Sequence, residues 1–365
     1  MSRPLTSAAS FLITLGQKNL LREPDSTLST HDQTKLPHTC LVYIPVKDPG
    51  LIETLGFYRL DVAALSDVFD SVVVETKLWR ALRSNADVAY VWWWTRSLPF
   101  LIGWKLKRRP CVTTGATDFR LPGVSRTWRA ARIVTTAFGG WLSDANIAIS
   151  AFEARDLALV RARNRIIIAP AVQNEELLPD RTSQKPSGAI VAQMNPGSIQ
   201  RKGVELTLRA LPHILATLPE FHLHLIGPIS ASGQNVLSAL TYGIPEDRFT
   251  LHGLLSEPEK LSILKSAWVY FQPSSYEGFG LALAEAIACG AYPISTGNTA
   301  TVELLEGICQ PVHPEATAVA FEAIRAIQSS TLHRSDVRAA RSALMNRFSL
   351  ESKKSRLRAV FSEIL

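Results

Sequence analysis

The sequence predicts an α/β protein made of two doubly wound domains that face a central cleft. Three observations carry this expectation. A chain of 365 residues exceeds one ordinary hydrophobic core. Short β-rich runs alternate with helix-forming stretches along most of its length. A proline-bearing segment then splits the alternation into two series. Hydrophobic residues make up 46% and charged ones 19%, the balance of a globular chain. Gly and Pro, 20 and 21 in number, are too few for a collagenous or low-complexity protein.

Residues 1–38 are polar and weakly patterned, which predicts a loosely ordered lead-in. No convincing cleavage site follows the apolar patch from Phe11 to Leu15, so a signal peptide is not expected. The first series of strands is expected at 41–46, 71–75, 88–93, 111–114, 147–150 and 166–169, with helical segments such as 60–66 and 152–160 between them. Apolar strands alternating with helices indicate a parallel sheet covered on both faces. The most apolar stretch, 88–104, is interrupted by Thr95, Arg96, Ser97 and Pro99 and is too short to span a bilayer. Three prolines in 170–187 mark a linker. Strands are expected again at 189–194, 222–226, 250–252, 269–272 and 292–295, with helices at 204–218, 261–267, 281–289, 316–328 and 351–365. In helix 204–218 the apolar positions 204, 208, 211, 215 and 218 follow a period near 3.6, and Pro212 is expected to kink it.

Charge is unevenly placed. Between residues 100 and 170 twelve Lys or Arg face four acids, a balance of +8 against +7 for the whole chain. Seven of the eight tryptophans (79, 92, 93, 94, 104, 128 and 141) lie in the first half. Cations beside indoles suit an anionic membrane surface. A nucleic-acid face would need a binding module, and none accompanies the charge. The plain alternative is a set of solvated arginines over core indoles, as the run Trp92 to Trp94 suggests. The cysteines (Cys40, Cys111, Cys289 and Cys309) are far apart with no C-x-x-C pair, so reduced thiols are expected.

One segment carries the chemistry: Pro273-Ser-Ser-Tyr-Glu277-Gly-Phe-Gly280-Leu-Ala-Leu-Ala-Glu285-Ala-Ile-Ala-Cys-Gly290. A strand ends at a Pro-Ser turn, Glu277 and two glycines follow, and a helix opens whose stop is Gly290. Gly278 and Gly280 allow a ligand close to the backbone, and the first helical N–H groups favour an anion. Glu277 falls at the mouth of that helix and Glu285 on the order of 7–8 Å along it. Carboxylates so spaced can hold hydroxyls at the two ends of a nucleotide diphosphate sugar. Ser198-Ile-Gln-Arg201-Lys202-Gly203, between the first strand and helix of the second series, places cations where a diphosphate leaving group needs neutralising.

These residues resemble glycosyltransferase family 4, the retaining nucleotide-sugar-dependent enzymes of the GT-B fold. The match is Glu277, seven residues, Glu285, supported by Arg201-Lys202-Gly203, Leu225-Ile-Gly227, Phe249-Thr-Leu-His-Gly253, Thr296 to Glu303 and Arg347-Phe-Ser349. It covers about 188–350 well and is faint over 41–170. The resemblance implies an acceptor-binding domain at 39–170, a linker at 171–187 and a nucleotide-sugar-binding domain at 188–345. A C-terminal helix within 346–365 would then pack back on the first domain. By position, the resemblance implies that Glu277 contacts the donor sugar and supports developing oxocarbenium character, that Glu285 binds the ribose and that Lys202 clamps the diphosphate. Arg201, Gly227 and the backbone of Gly278, Phe279, Gly280 and Leu281 line the donor, and Asp118 contacts the acceptor or assists proton removal unless it is a helix cap. Two departures stand out. The arginine usual five or six positions before Lys202 is replaced by Gly197 or Pro196, and the N-terminal glycine loop is reduced to Pro49-Gly50 or Gly56.

No D-x-D ends a strand and no H-x-x-x-H occurs, so neither a metal nor another cofactor is expected. His222 and His224 share a strand face as a core or surface pair. The expected partners are a nucleotide-sugar donor, a saccharide or lipid-linked saccharide acceptor and peripheral contact with an anionic membrane, with no nucleic acid. The expected location is the cytoplasm or the inner face of its membrane, in polysaccharide, lipopolysaccharide or glycolipid assembly. The rival reading is a degenerate, non-catalytic GT-B subunit. A nicotinamide dehydrogenase is excluded because neither series opens with G-x-G-x-x-G.

Overall fold

The computed structural model describes residues 34–172 and 185–365. Residues 173–184 of the expected linker lie outside the described residues. The first sheet contains β1 (Leu36–Tyr43), β2 (Phe69–Glu75), β3 (Val88–Trp92), β4 (Cys111–Gly115), β5 (Ala145–Ala148) and β6 (Arg165–Ile167). Their spatial order is β2-β1-β3-β4-β5-β6 and every pairing is parallel. The second sheet contains β7 (Ser187–Val191), β8 (His222–Ile226), β9 (Phe249–Gly253), β10 (Val269–Gln272) and β11 (Tyr292–Ser295). Its order is β11-β10-β7-β8-β9, again all parallel. The sequence reading of two doubly wound α/β layers describes this architecture, which is the GT-B fold.

The strands are buried on both faces, so their residues divide by the two-residue period of a pleated strand. On β1, Cys40 and Val42 enter the core beneath the helix Gly56–Val68, while Leu41 and Tyr43 join Phe100, Leu101 and Trp104 on the other face. β1 opens at Leu36, inside the stretch expected as lead-in, because its backbone already pairs with Phe69. Asp87 fixes the same strand by accepting the Thr39 N–H at 2.8 Å.

The chain passes between the sheets twice, and the two crossings touch where the Val172 N–H donates to the Phe348 carbonyl at 2.9 Å. Beyond the second crossing the helix Leu350–Ile364 lies against Gly56–Val68 and buries Leu357, Val360 and Phe361 in the first domain's core. Each such side chain contributes about 2 kcal/mol. Lys353 and Asp61 form a buried ion pair there, and the Tyr90 hydroxyl donates to the same carboxylate at 2.7 Å.

Several helices lie outside the segments the sequence predicted, the longest being Arg126–Leu142 and Ser330–Phe348, with Leu98–Leu106 and Ala231–Leu240 beside them. The helix Val204–Thr217 continues through Pro212. His222 and His224 are joined by His252, whose Nε2 lies 3.0 Å from His224 Nδ1. Burial and the neighbouring imidazoles lower His224 to about 4.

Candidate active site

In the second sheet β7 and β10 are neighbours, yet the chain leaves β7 towards β8 on one side and β10 towards β11 on the other. Such a switch point leaves a crevice at the carboxyl ends of the two strands. The segment after β7 forms the short helix Pro196–Arg201 and ends in Lys202. The segment after β10 is Pro273 to Gly280. Gly203 brings the two together: its φ is +75°, and a Cβ there would stand 2.3 Å from the Pro273 carbonyl oxygen. The Ser275 N–H donates to the Arg201 carbonyl at 2.8 Å across the same contact.

Lys202 and Glu277 thereby meet. The ammonium Nζ lies 2.6 Å from Glu277 Oε1 and 2.8 Å from Oε2. The Ser274 hydroxyl donates to Oε1 at 2.9 Å. Thr299 holds the Glu277 backbone, its hydroxyl oxygen accepting the N–H at 2.8 Å and lying 2.6 Å from the carbonyl. The carboxylate is almost fully buried, and the lysine is the more exposed of the two.

The helix Leu281–Ala288 starts from Gly280, whose φ of +97° is left-handed. A Cβ at Gly280 would be 3.1 Å from Leu304 and Thr301 and 3.3 Å from the Gln272 amide. Gln272 ends β10 beside this helix mouth, buried, and neither its Oε1 nor its Nε2 has a partner among the described residues. Glu285 is buried on the same helix and accepts from Lys260 Nζ at 2.8 Å, while Glu257 stands 3.0 Å from that ammonium. Burial raises the Glu285 carboxyl, and Lys260 opposes it. Burial pulls Lys260 down, but its two carboxylate neighbours carry it above its usual value. Gly56 of the first domain faces this pair, since a Cβ there would lie 3.8 Å from Glu257 Oε1 and 4.0 Å from Glu285 Oε1.

The other sequence-selected residues take several places. Arg201 donates from Nη1 to the Tyr276 carbonyl at 3.3 Å. Gly278 lies at the domain boundary, where its carbonyl accepts from the Ser150 hydroxyl at 2.9 Å. The Phe279 side chain is buried edge-on against Phe348, so only its backbone faces the crevice, and Leu281 packs partly into the same core. Gly227 is needed for a close approach: a Cβ there would stand 1.9 Å from the Ala192 carbonyl oxygen. Pro196 and Gly197, where the resemblance leads one to look for arginine, open the helix that Asn195 caps by accepting the Ser198 N–H at 3.0 Å.

Asp118 follows β4 in a left-handed conformation, φ +55°. It does not cap a helix. The helix Arg126–Leu142 is capped by Ser125, and Asp118 instead accepts from Arg132 Nη2 at 3.3 Å. Burial raises its carboxyl against the opposing charges of Arg132, Arg201 and Arg96, so the second domain's Arg201 acts on it across the cleft. Glu153, fully buried, holds the corner before it by accepting the Thr117 N–H at 2.6 Å and the Ile149 N–H at 3.0 Å. Burial lifts Glu153 to about 8. Glu303 joins the domains by accepting the N–H groups of Ala151 and Phe152, both at 2.9 Å.

Sequence reasoning assigned no role to Ser274, Thr299, Lys260, Gln272 or Glu303. Ser274, three positions before Glu277, lies in the quoted turn, and Thr299 and Glu303 lie in the quoted run Thr296 to Glu303, with no signal there that they reach the site or the domain boundary. Lys260 and Gln272 join the site only through folding.

The two sheets and this crevice define a GT-B protein, and residues 185–318 match the family model described as "Glycosyl transferases group 1". A curated relative, the phosphatidylinositol N-acetylglucosaminyltransferase gpi3 subunit of Schizosaccharomyces pombe, is 29% identical over 104 residues. That match covers 28% of this chain and 23% of the relative, so the chain spans under a quarter of that protein's length. Among solved structures, Anabaena Alr3699/HepE in complex with UDP and glucose superposes with a TM-score of 0.71 at 16% identity, over 89% of this chain and all of that one. Sucrose-phosphate synthase from Thermosynechococcus elongatus gives 0.69 at 17% identity, covering 89% of this chain and 98% of that one.

Proposed function

We propose that this chain is a retaining, metal-independent glycosyltransferase of the family 4 type, moving a sugar from a nucleotide diphosphate sugar to an acceptor hydroxyl. The observation that carries the reading is the Lys202–Glu277 pair at the β7/β10 switch point, beside the helix mouth at Gly280. In this reading the diphosphate lies against the first N–H groups of helix Leu281–Ala288, and Lys202, the more exposed of its pair, reaches it. Glu285 takes the ribose hydroxyls, Glu277 supports positive charge at the sugar, and Asp118 faces the acceptor. The route is front-face attack: the acceptor oxygen bonds to the anomeric carbon on the side the diphosphate leaves, and the leaving phosphate takes the acceptor's proton. Closure of the cleft excludes water. The HepE structures, described as complexes with UDP and with UDP-glucose, support a nucleoside diphosphate in this crevice.

The acceptor is a saccharide or lipid-linked saccharide in polysaccharide, lipopolysaccharide or glycolipid assembly at the inner face of the cytoplasmic membrane. A screen of nucleoside diphosphates and their sugars for thermal stabilisation tests the donor, and N-acetylglucosaminyl donors belong in it because the curated relative is named for that transfer. Glu277→Ala and Lys202→Ala should each abolish donor turnover while the fold survives, and near-normal turnover in both defeats the proposal. A non-catalytic GT-B subunit is the second reading. It is favoured by Pro196 and Gly197 at the usual arginine positions. Absence of calorimetric binding to every nucleotide sugar would select it.

A further inference from the structure

One face of the first sheet is covered by helices Leu78–Arg83, Leu98–Leu106 and Arg126–Leu142, each packed on the next. The inner sides of the first two are core, with Ala81, Phe100, Leu101 and Trp104 buried. The outer sides are also apolar. On Arg126–Leu142 the residues Val134, Phe138 and Trp141 recur at helical spacing and are 66%, 43% and 51% exposed. Leu106 on the neighbouring helix is 81% exposed and Trp79 on the next 54%. The rings of Phe138 and Trp141 stack on each other at 6.0 Å, and the guanidinium of Arg163 sits 5.1 Å from the Trp141 ring centre.

The charge of this layer is mostly positive. Between Asp87 and Asp144 the sequence holds nine Lys or Arg and one acid, Asp118, which is turned into the cleft against Arg132. Asp144 is paired with Lys105 at 2.7 Å. Arg126 and Arg129 stand in the first turn of their helix, where the helix dipole disfavours cations, so their placement does not serve helix stability. The opposite face of the domain differs: helices Gly56–Val68 and Leu350–Ile364 interleave acids with cations, Lys354 pairing with both Asp67 and Glu351. An exposed apolar stripe with an indole, rimmed by an excess of cations, is the pattern that enters the interface of an anionic bilayer. A nucleic-acid surface needs the cations but gains nothing from Val134, Leu106 or Phe138. No helix among the described residues is long and apolar enough to cross a membrane, so contact through this layer is peripheral.

We propose that the outer layer of helices Leu78–Arg83, Leu98–Leu106 and Arg126–Leu142 docks the protein on an anionic lipid bilayer, with Val134, Phe138 and Trp141 entering the interface. The layer adjoins the cleft, because Arg132 extends from the docking helix to Asp118. A lipid-linked acceptor held in the bilayer would therefore arrive on the Asp118 side. That last consequence rests on the transferase reading, whereas lipid binding is measured without turnover, so each can fail alone.

The experiment is co-sedimentation of the full chain with vesicles of phosphatidylcholine alone and of phosphatidylcholine with phosphatidylglycerol. Binding is expected to be much stronger to the anionic vesicles, with weak residual binding to the neutral ones. A cation near such a surface is worth about five-fold in affinity, so Arg126→Gln with Arg129→Gln should weaken binding about 25-fold. Val134→Ser with Phe138→Ser should remove the part of the binding that survives high salt, which screens the cations but not the apolar contact. Unchanged thermal unfolding of both double variants guards against misfolding, and Leu106→Ser, at the most exposed apolar position of the layer, serves as a second apolar variant. Equal or negligible binding to the two vesicle types overturns the proposal, as does anionic binding that both double variants retain. Failure to bind vesicles together with tight retention on an oligonucleotide would assign the layer to nucleic acid instead.

Discussion

Removing the Lys202 ammonium should cost more than removing the Glu277 charge, although the two belong to one pair. The Glu277 side chain is 7% exposed and that of Lys202 23%, so the carboxylate suffers more from losing its partner. At an effective dielectric near 20, unit charges about 4 Å apart attract by about 4 kcal/mol. Breaking a fully buried pair costs about 3–5 kcal/mol, most of it the stranded charge. Lys202→Met leaves the carboxylate with the Ser274 hydroxyl as its remaining side-chain donor among the described residues, and should cost about 3 kcal/mol. Glu277→Gln keeps an acceptor for Ser274 and leaves an ammonium that reaches water, for about 1 kcal/mol. The double variant should cost about 2 kcal/mol rather than the sum, a coupling of about 2 kcal/mol. Urea unfolding at neutral pH followed by two probes measures all three. Calorimetry adds the functional arm: Lys202→Met should lose nucleoside diphosphate binding, whereas Glu277→Gln should bind it and fail to transfer sugar. Equal costs that add within about 0.5 kcal/mol, or undiminished binding in Lys202→Met, would refute the reasoning.

Gly203→Ala places a methyl against the Pro273 carbonyl at a left-handed φ and should destabilise by more than about 2 kcal/mol in the same unfolding assay, with weaker diphosphate binding. Glu303→Gln loses a charged acceptor for two N–H groups of the first domain and should cost about 2 kcal/mol, with a broader distance distribution in small-angle scattering. His224, held at about 4 in the folded protein, is protonated more readily when unfolded, so its contribution is present above pH 6.5 and is lost as pH falls towards 4. The shift is worth ~3 kcal/mol at full burial, and the half-buried ring reduces it to about 2 kcal/mol. His224→Gln should flatten the Tm profile in that window, and an unchanged slope would rule the imidazole out.

The strands of the second sheet were legible because each is a short apolar run closed by Gly, Pro or a polar turn; 222–226, 269–272 and 292–295 coincide with β8, β10 and β11. The helix Arg126–Leu142 was not expected although its residues follow a helical period, because three threonines and two glycines lower its helix propensity. Glu277, Glu285 and Lys202 could be found since the turn chemistry around them is local. The groups that hold them could not: Thr299 reaches Glu277 from 22 positions away and Lys260 reaches Glu285 from 25, distances over which sequence pattern carries no pairing information. Asp118 was seen, but its neighbour Arg132 removed the cap alternative only when the loop after β4 was traced.

The seating of helix Leu350–Ile364 has a practical consequence. Lys353 closes a contact with Asp61 across 292 positions of sequence, and Phe361 fills space that the first domain cannot fill itself. Cutting the polypeptide once between the sheets would not release a self-sufficient amino-terminal fragment; it would leave an open slot over Tyr58, Leu65 and Phe69 with the Asp61 carboxylate at its floor. Fusions or deletions made beyond residue 350 would in turn be felt in the first domain's core around Tyr58 and Phe69, so expression of either half calls for grafting this helix onto the first.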